Sequence, residues 1–188
     1  ETAKQLALTH FTIEKGYAAS NFGTGETITA GTSVELPSGL GSVHSYMGWQ
    51  TITSTTSTQY KLREQAGMNF DDEGFARING RYVIACTSTY GNVGDYVDFY
   101  QEDGSVIQCI IGDIKNQSDA GCNEWGHLNG TCVVEFIVNK DTWYSTDKGG
   151  TAGSMHINPG NQGCHPEWNQ NITKVVNGGS YFNNPDFG

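Results

Sequence analysis

The stretch that decides the fold reads RYVIACTSTYG over residues 81–91, GDYVDFYQ over 94–101, SVIQCIIGD over 105–113 and GTCVVEFIV over 130–138. Each run is the length of a strand and is bounded by Gly, Asn or Asp, which break regular structure. In the first, Tyr82, Ile84 and Cys86 alternate with Val83 and Ala85, the two-residue period of a pleated strand. Asp103-Gly104 separates the second run from the third and is a strong signal for a tight hairpin. Val106–Ile111 and Val133–Val138 are almost continuously apolar, as expected of strands covered on both faces. One hairpin and one polar excursion, Lys115 to Gly130, among four such runs lead us to expect a mainly β protein whose core, at about 80–140, is a small closed barrel.

Composition agrees with a strand-rich chain. The protein has 188 residues, 25 of them Gly, and only 16% are charged. Thr, Ser and Asn are abundant, and stretches rich in Ala, Leu, Glu and Lys are few, which disfavours long helices. The exception is QYKLREQAG, residues 59–67. There Ser57 or Thr58 would cap a helix, Leu62, Gln65 and Ala66 would share one face, and Gly67 would end it. Residues 1–45 are rich in Gly, Thr and Ser and read as an extended arm packed on a single domain over residues 46–188. In the loop-rich C-terminal third, ITKVV and GGSYF are two further short strand candidates.

The formal net charge is −10 and no basic run occurs. Phosphate contacts require Lys and Arg, so nucleic acid is not an expected partner. The sequence also lacks the roughly 20-residue apolar run that spans a bilayer. The opening residues, ETAKQLALTHFTIEKGY, lack the basic and apolar regions of a signal peptide.

The five cysteines are Cys86, Cys109, Cys122, Cys132 and Cys164. None forms a CxxC pair, so a zinc ribbon or thioredoxin-like motif is unsupported. Two disulfides with one thiol left over, or a fully reduced set, both fit, and Cys122 with Cys132 would close the polar excursion. Asn-x-Ser/Thr triplets stand at Asn116, Asn129 and Asn171.

The segment from Ala85 to Val138 resembles the double-psi β-barrel superfamily. The closest flavour is the three-aspartate domain of bacterial cell-wall lysins, with MltA-type lytic transglycosylases and expansin/barwin proteins as more distant relatives. The resemblance is carried by Val93-Gly94-Asp95-Tyr96-Val97, Asp103-Gly104, Ile110-Ile111-Gly112-Asp113 and Val134-Glu135-Phe136-Ile137. It covers under a third of the chain. Glu135 stands where that family usually has Asp, and KNQSDAGCNEWGHLNG (115–130) replaces its Gly-rich segment.

The resemblance implies a glycan-binding or glycan-cleaving domain, cleavage using a strand-end acid as the acid/base, which here is Asp113. A glycosidic oxygen leaves only when protonated, so a carboxyl must deliver a proton to it. A lytic transglycosylase needs one such group, whereas a hydrolase needs two at a defined separation. Asp119 or Glu135 would be the second. Glu124, Trp125, His127 and Tyr90 would line the groove, with aromatic faces stacking on sugar rings. The partner would be a peptidoglycan-like polysaccharide, with no cofactor and no metal, in an extracellular, cell-surface or virion setting. Three rival readings stand beside this one. Asp113 would cap backbone N–H groups at a strand end. Cys109 or Cys122 with His127 would make a Cys–His peptidase. The arm at 1–45 would add strands to a neighbouring copy in a non-enzymatic, self-assembling homo-oligomer. Tyr46 and Trp49 read as core residues, Asp71-Asp72-Glu73 as a solvated turn, and Trp143 and Trp168 as staples for long loops.

Overall fold

In the computed structural model, which describes residues 30–145 and 165–186, the strand-like runs become the centre of one mixed sheet. In chain order the elements are β1 (Ser33–Glu35), β2 (Val43–Gly48), α1 (Thr58–Gln65), β3 (Asn69–Phe70), β4 (Ala76–Ile78), β5 (Arg81–Thr87), β6 (Asp95–Gln101), β7 (Val106–Lys115), β8 (Cys132–Val138), α2 (Lys140–Ser145) and β9 (Ile172–Ser180). Short 3-10 turns lie between several of them.

The expected hairpin joins β6 to β7. Its loop holds three residues, Glu102 to Gly104, closed by bonds from Gln101 N to the Ser105 carbonyl and from Gly104 N to the Gln101 carbonyl. Gly104 has φ +85°, the left-handed position that ends such loops and that glycine adopts at little cost. The helix signals also hold. Ser57 Oγ accepts the Tyr60 N–H at 3.1 Å, and Gly67 follows the helix at φ +63°. On the expected apolar face, Leu62 is buried and Ala66 half-buried, while Gln65 is exposed.

The strand order is β1-β9-β6-β7-β5-β4-β3, with β8 paired to β5 and β2 paired to β8. The sheet is therefore open and branched, and the expected closed barrel is corrected to this arrangement. The branch point is β5. Arg81 and Tyr82 pair with β4, Ile84 and Ala85 pair with β8, and the other edge of β5 runs parallel to β7. A strand that divides one edge between two partners splays the sheet instead of leading it round to its own far edge, and β1 and β3 remain unpaired to each other. Residues 30–45 of the expected arm are built into the sheet, since β1 lies on β9 and β2 runs parallel to β8. Residues 1–29 lie outside the described residues, as does Cys164. The two short C-terminal strand candidates form one strand, β9, bulged against β6.

The alternation of β5 divides two cores. Ile84 and Cys86 face the main core with Ile111, Val134 and Phe136. Val83 faces a smaller one under α1, with Leu62, Ile78 and Ile137. Trp143 and Trp168 close the main core as loop staples, and Trp168 stacks on Phe136 at 4.8 Å. Beneath Trp168, His44 is wholly buried and its Nε2 lies 2.9 Å from the Trp168 carbonyl. Asp71, expected in a solvated turn, is half-buried. Its Oδ1 accepts the N–H groups of Glu73 and Phe75, and its Oδ2 meets Arg77 at 2.9 Å. No helix among the described residues is long and apolar enough to cross a membrane.

Candidate functional site

Asp113 and Glu135 occupy neighbouring positions on the face of the sheet opposite the main core. Ala85 pairs with Asp113 on β7 and with Glu135 on β8. Residues in register on adjacent strands point to the same face, and strands lie about 4.8 Å apart, so the two Cα atoms stand roughly 10 Å from each other with Ala85 between them. Ala contributes only a methyl there, which leaves the space above β5 to the two acids.

Gly112 sets this register. Ile84 pairs with Ile111 and Ala85 with Asp113, so Gly112 is the extra residue of a β-bulge. A Cβ at this position would lie 2.4 Å from Val83 Cγ1 and 2.9 Å from Ile137 Cδ1, closer than side-chain atoms approach. The bulge turns the next side chain, Asp113, away from the main core and onto the face that α1 covers. Asp113 Oδ1 accepts Gln59 Nε2 from α1 at 3.0 Å and its neighbour's backbone N–H, Ile114, at 2.9 Å. Asp113 is half-buried, and both of these bonds fall on Oδ1.

Glu135 is paired with Lys115, Nζ to Oε2 at 3.3 Å, and both side chains are largely shielded. Burial pulls the Lys115 ammonium's pKa down and the adjacent Glu135 carboxylate pushes it up, with a net rise. Beside this pair lies a cleft of about 190 Å³ lined by Thr87, Lys115, Gly126, His127, Cys132 and Glu135. It has room for about one water molecule. The roof is the polar segment 116–131. Its docking on β8 depends on Gly126, where a Cβ would sit 2.2 Å from the Cys132 carbonyl oxygen.

The other expected site residues divide. His127 lines the cleft and forms an isolated bridge with Cys132, each N–H donating to the other's carbonyl. Asp119 is exposed, in a turn where its N–H meets the Asn116 carbonyl and its carbonyl accepts the Cys122 N–H, and no bond joins it to Asp113. Glu124 and Trp125 act through their backbones. The Glu124 carbonyl accepts the hydroxyls of Thr87 and Thr89, and the Trp125 carbonyl accepts the Tyr90 hydroxyl at 2.7 Å. The Trp125 ring packs on the main core. Tyr90, expected in the groove, is corrected to a core residue, fully buried and packed on Phe99 at 5.7 Å. Its role is to hold the cleft's roof from below.

Cys86, Cys109, Cys122 and Cys132 are free thiols, so the expected closure of the loop by Cys122 and Cys132 is not made. Cys109 lies in the main core, far from any nucleophilic role, and burial pushes its thiol well up. Cys132, at the cleft beside His127, donates to Ser45 Oγ at 3.3 Å, and burial pushes its pKa to about 11. A thiol so raised is protonated near neutrality and is not an activated nucleophile.

Three participants stand outside the residues that the sequence singled out for the site. Gln59 reaches Asp113 across 54 positions, and Lys115 meets Glu135 across 20. The apolar pocket under α1, next to Asp113, gathers Trp49 and Ile52 with the faces of four strands. Of these, only Lys115 was within reach of sequence reasoning, because it stands two residues beyond Asp113 and so on its face of β7.

No family model, no curated protein and no solved structure matches this chain.

Proposed function

We propose that the face of β7, β5 and β8 between α1 and the 116–131 segment is a site for cleaving a peptidoglycan-like glycan, with Asp113 and Glu135 as the acting pair. The observation that carries this reading is their common register on Ala85. Inverting glycosidases hold two carboxyl groups about 6.5–9.5 Å apart, leaving room for a water on the far side of the sugar. Two strand spacings put the Cα atoms roughly 10 Å apart, which suits that wider range better than the ~5 Å of a retaining pair.

In this mechanism Asp113 protonates the departing glycosidic oxygen through Oδ2, while Gln59 holds Oδ1. Glu135 takes a proton from a water seated at the one-water cleft, and that water attacks the anomeric carbon from the opposite face. Lys115 balances the charge of Glu135 before the sugar binds. His127 lines the water's side of the site. The strand-end acid at Asp113 is the feature shared with the three-aspartate domain, whose closed barrel this open sheet does not form, and Glu135 is enlisted as a base. An extracellular, cell-surface or virion location follows from that substrate and forms part of the proposal.

The test is release of soluble muropeptides from purified sacculi, read by mass spectrometry. Wild type releases them, and Asp113→Asn and Glu135→Gln lower the rate by about 100-fold or more. Equal release by all three proteins, or by none, removes the assignment.

A further inference from the structure

At the edge of the main core one histidine is held between two carboxylates. His165 Nδ1 lies 2.7 Å from Glu167 Oε1, and Nε2 lies 3.2 Å from Glu73 Oε2. The ring is stacked on Trp168 at 4.0 Å and meets Phe75 edge-on at 5.4 Å. The His165 side chain is 14% exposed and that of Glu73 18%, whereas that of Glu167 is 56% exposed. The contact with Glu167 is local and open to water, so it contributes little to stability. The contact with Glu73 is shielded and joins residues 92 positions apart.

A count of hydrogens fixes the state of this ring. An ionised carboxylate only accepts, and a neutral imidazole has one N–H. Two bonds to carboxylates need two ring hydrogens, so the arrangement holds one proton more than a neutral histidine brings. When that proton leaves, one nitrogen turns a lone pair toward a carboxylate oxygen, and an attraction becomes a repulsion between two acceptors. Among the described residues, the other charged groups near the ring are the exposed Asp72, in the same turn as Glu73, and the Asp71–Arg77 pair, whose guanidinium lies over Tyr82. His44 stands edge-on to Trp168 at 6.1 Å, and burial lowers its pKa to about 4. It therefore stays neutral across the range in which an ordinary imidazole titrates.

This ring bears on Trp168. The indole stacks on His165 and also on Phe136, the chain neighbour of Glu135, and the Trp168 carbonyl meets His44 Nε2. We infer that Glu73, His165 and Glu167 form a proton-operated latch: in acid it fastens the 165–168 turn, and with it the Trp168 staple, to the turn between β3 and β4, and in alkali it slackens. The latch is independent of the glycan reading, since it needs only the two carboxylates and the ring between them.

NMR of nitrogen-labelled protein counts the hydrogens on the His165 ring, and the Trp168 indole N–H reports on the staple. Both are followed from about pH 5.5 to about pH 8.5, the span in which an imidazole ordinarily changes charge. At the acid end both His165 nitrogens carry hydrogen. At the alkaline end one does, and the Trp168 resonance has moved with the same midpoint. His165→Phe keeps a ring for stacking and removes the proton, so the Trp168 resonance stays fixed across the range. Glu73→Gln supplies an amide that can donate to the bare nitrogen, so the His165 ring still loses its proton while the Trp168 shift falls to less than about half. The wild-type titration carries the test by itself should either variant fail to fold. A neutral His165 ring at the acid end, a ring unchanged through the range, or a Trp168 resonance that does not follow it overturns the latch, as does an undiminished Trp168 shift in His165→Phe.

Discussion

Asp113 and Glu135 flank Ala85 from opposite sides, one on a parallel neighbour and one on an antiparallel neighbour of β5. This arrangement exists because β5 is shared between β7 and β8 at its middle, and because Gly112 is bulged out one position earlier. Without the bulge, the residue opposite Ala85 would be Gly112, and Asp113 would point to the other face. The carboxylate pair is thus a product of register, and register is a product of a glycine that has no room for a side chain.

Gln59→Leu tests how Asp113 is aimed. The variant keeps the bulk of the side chain and removes the 3.0 Å bond to Asp113 Oδ1. Gln59 is a positioning residue, so kcat falls about tenfold with KM little changed, and Gln59→Glu does not restore the rate because a carboxylate cannot donate. Steady-state kinetics on soluble glycan fragments checks this. A rise in KM alone would mean that Gln59 binds sugar directly.

His44 gives the fold a dependence on pH. Burial lowers its pKa from 6.5 to about 4, against the opposing effect of its bond to the Trp168 carbonyl. In the unfolded chain the imidazole takes up a proton near its ordinary pKa, and in the folded chain it does so only near 4. Its contribution is therefore fully present above pH 6.5 and is lost as pH falls towards 4, with a total of about 3 kcal/mol. Urea unfolding at pH 7 and pH 4, compared between wild type and His44→Gln, measures it. The wild-type loss exceeds that of the variant, and equal losses would place the acid sensitivity elsewhere.

The thiols predict a labelling order. Burial pushes Cys86 and Cys109 well up, and Cys132 to about 11. Only the thiolate alkylates, so at pH 8 these three resist iodoacetamide in the folded protein, and among the described cysteines the half-buried Cys122 reacts first. Peptide mapping after timed labelling checks the order. Loss of activity on labelling of Cys122 would revive the Cys–His reading.

What the sequence disclosed was local. The Asp103-Gly104 turn, the Ser57 cap and Gly67 stop of α1, and the apolar runs of β7 and β8 are decided by residues within a few positions of each other. The open sheet was not legible, because whether β5 closes a barrel or divides its edge depends on pairing among segments scattered over the chain. Tyr90 was misplaced for a related reason. A tyrosine between Gly-rich turns reads equally as a groove residue or as a buried ring with a satisfied hydroxyl, and only the Trp125 carbonyl decides between them. Asp113 and Glu135 were each legible as strand acids. Their partnership, the bulge at Gly112 and the supports from Gln59 and Lys115 required the register.

The most direct measurement is the anomeric configuration of the first product from a β-1,4-linked N-acetylglucosamine oligomer, followed by proton NMR before mutarotation. Action by the Asp113–Glu135 pair gives the α-anomer first, and both Asp113→Asn and Glu135→Gln abolish its appearance. A β-anomer, a product with no reducing end, or undiminished turnover in either variant would contradict the account.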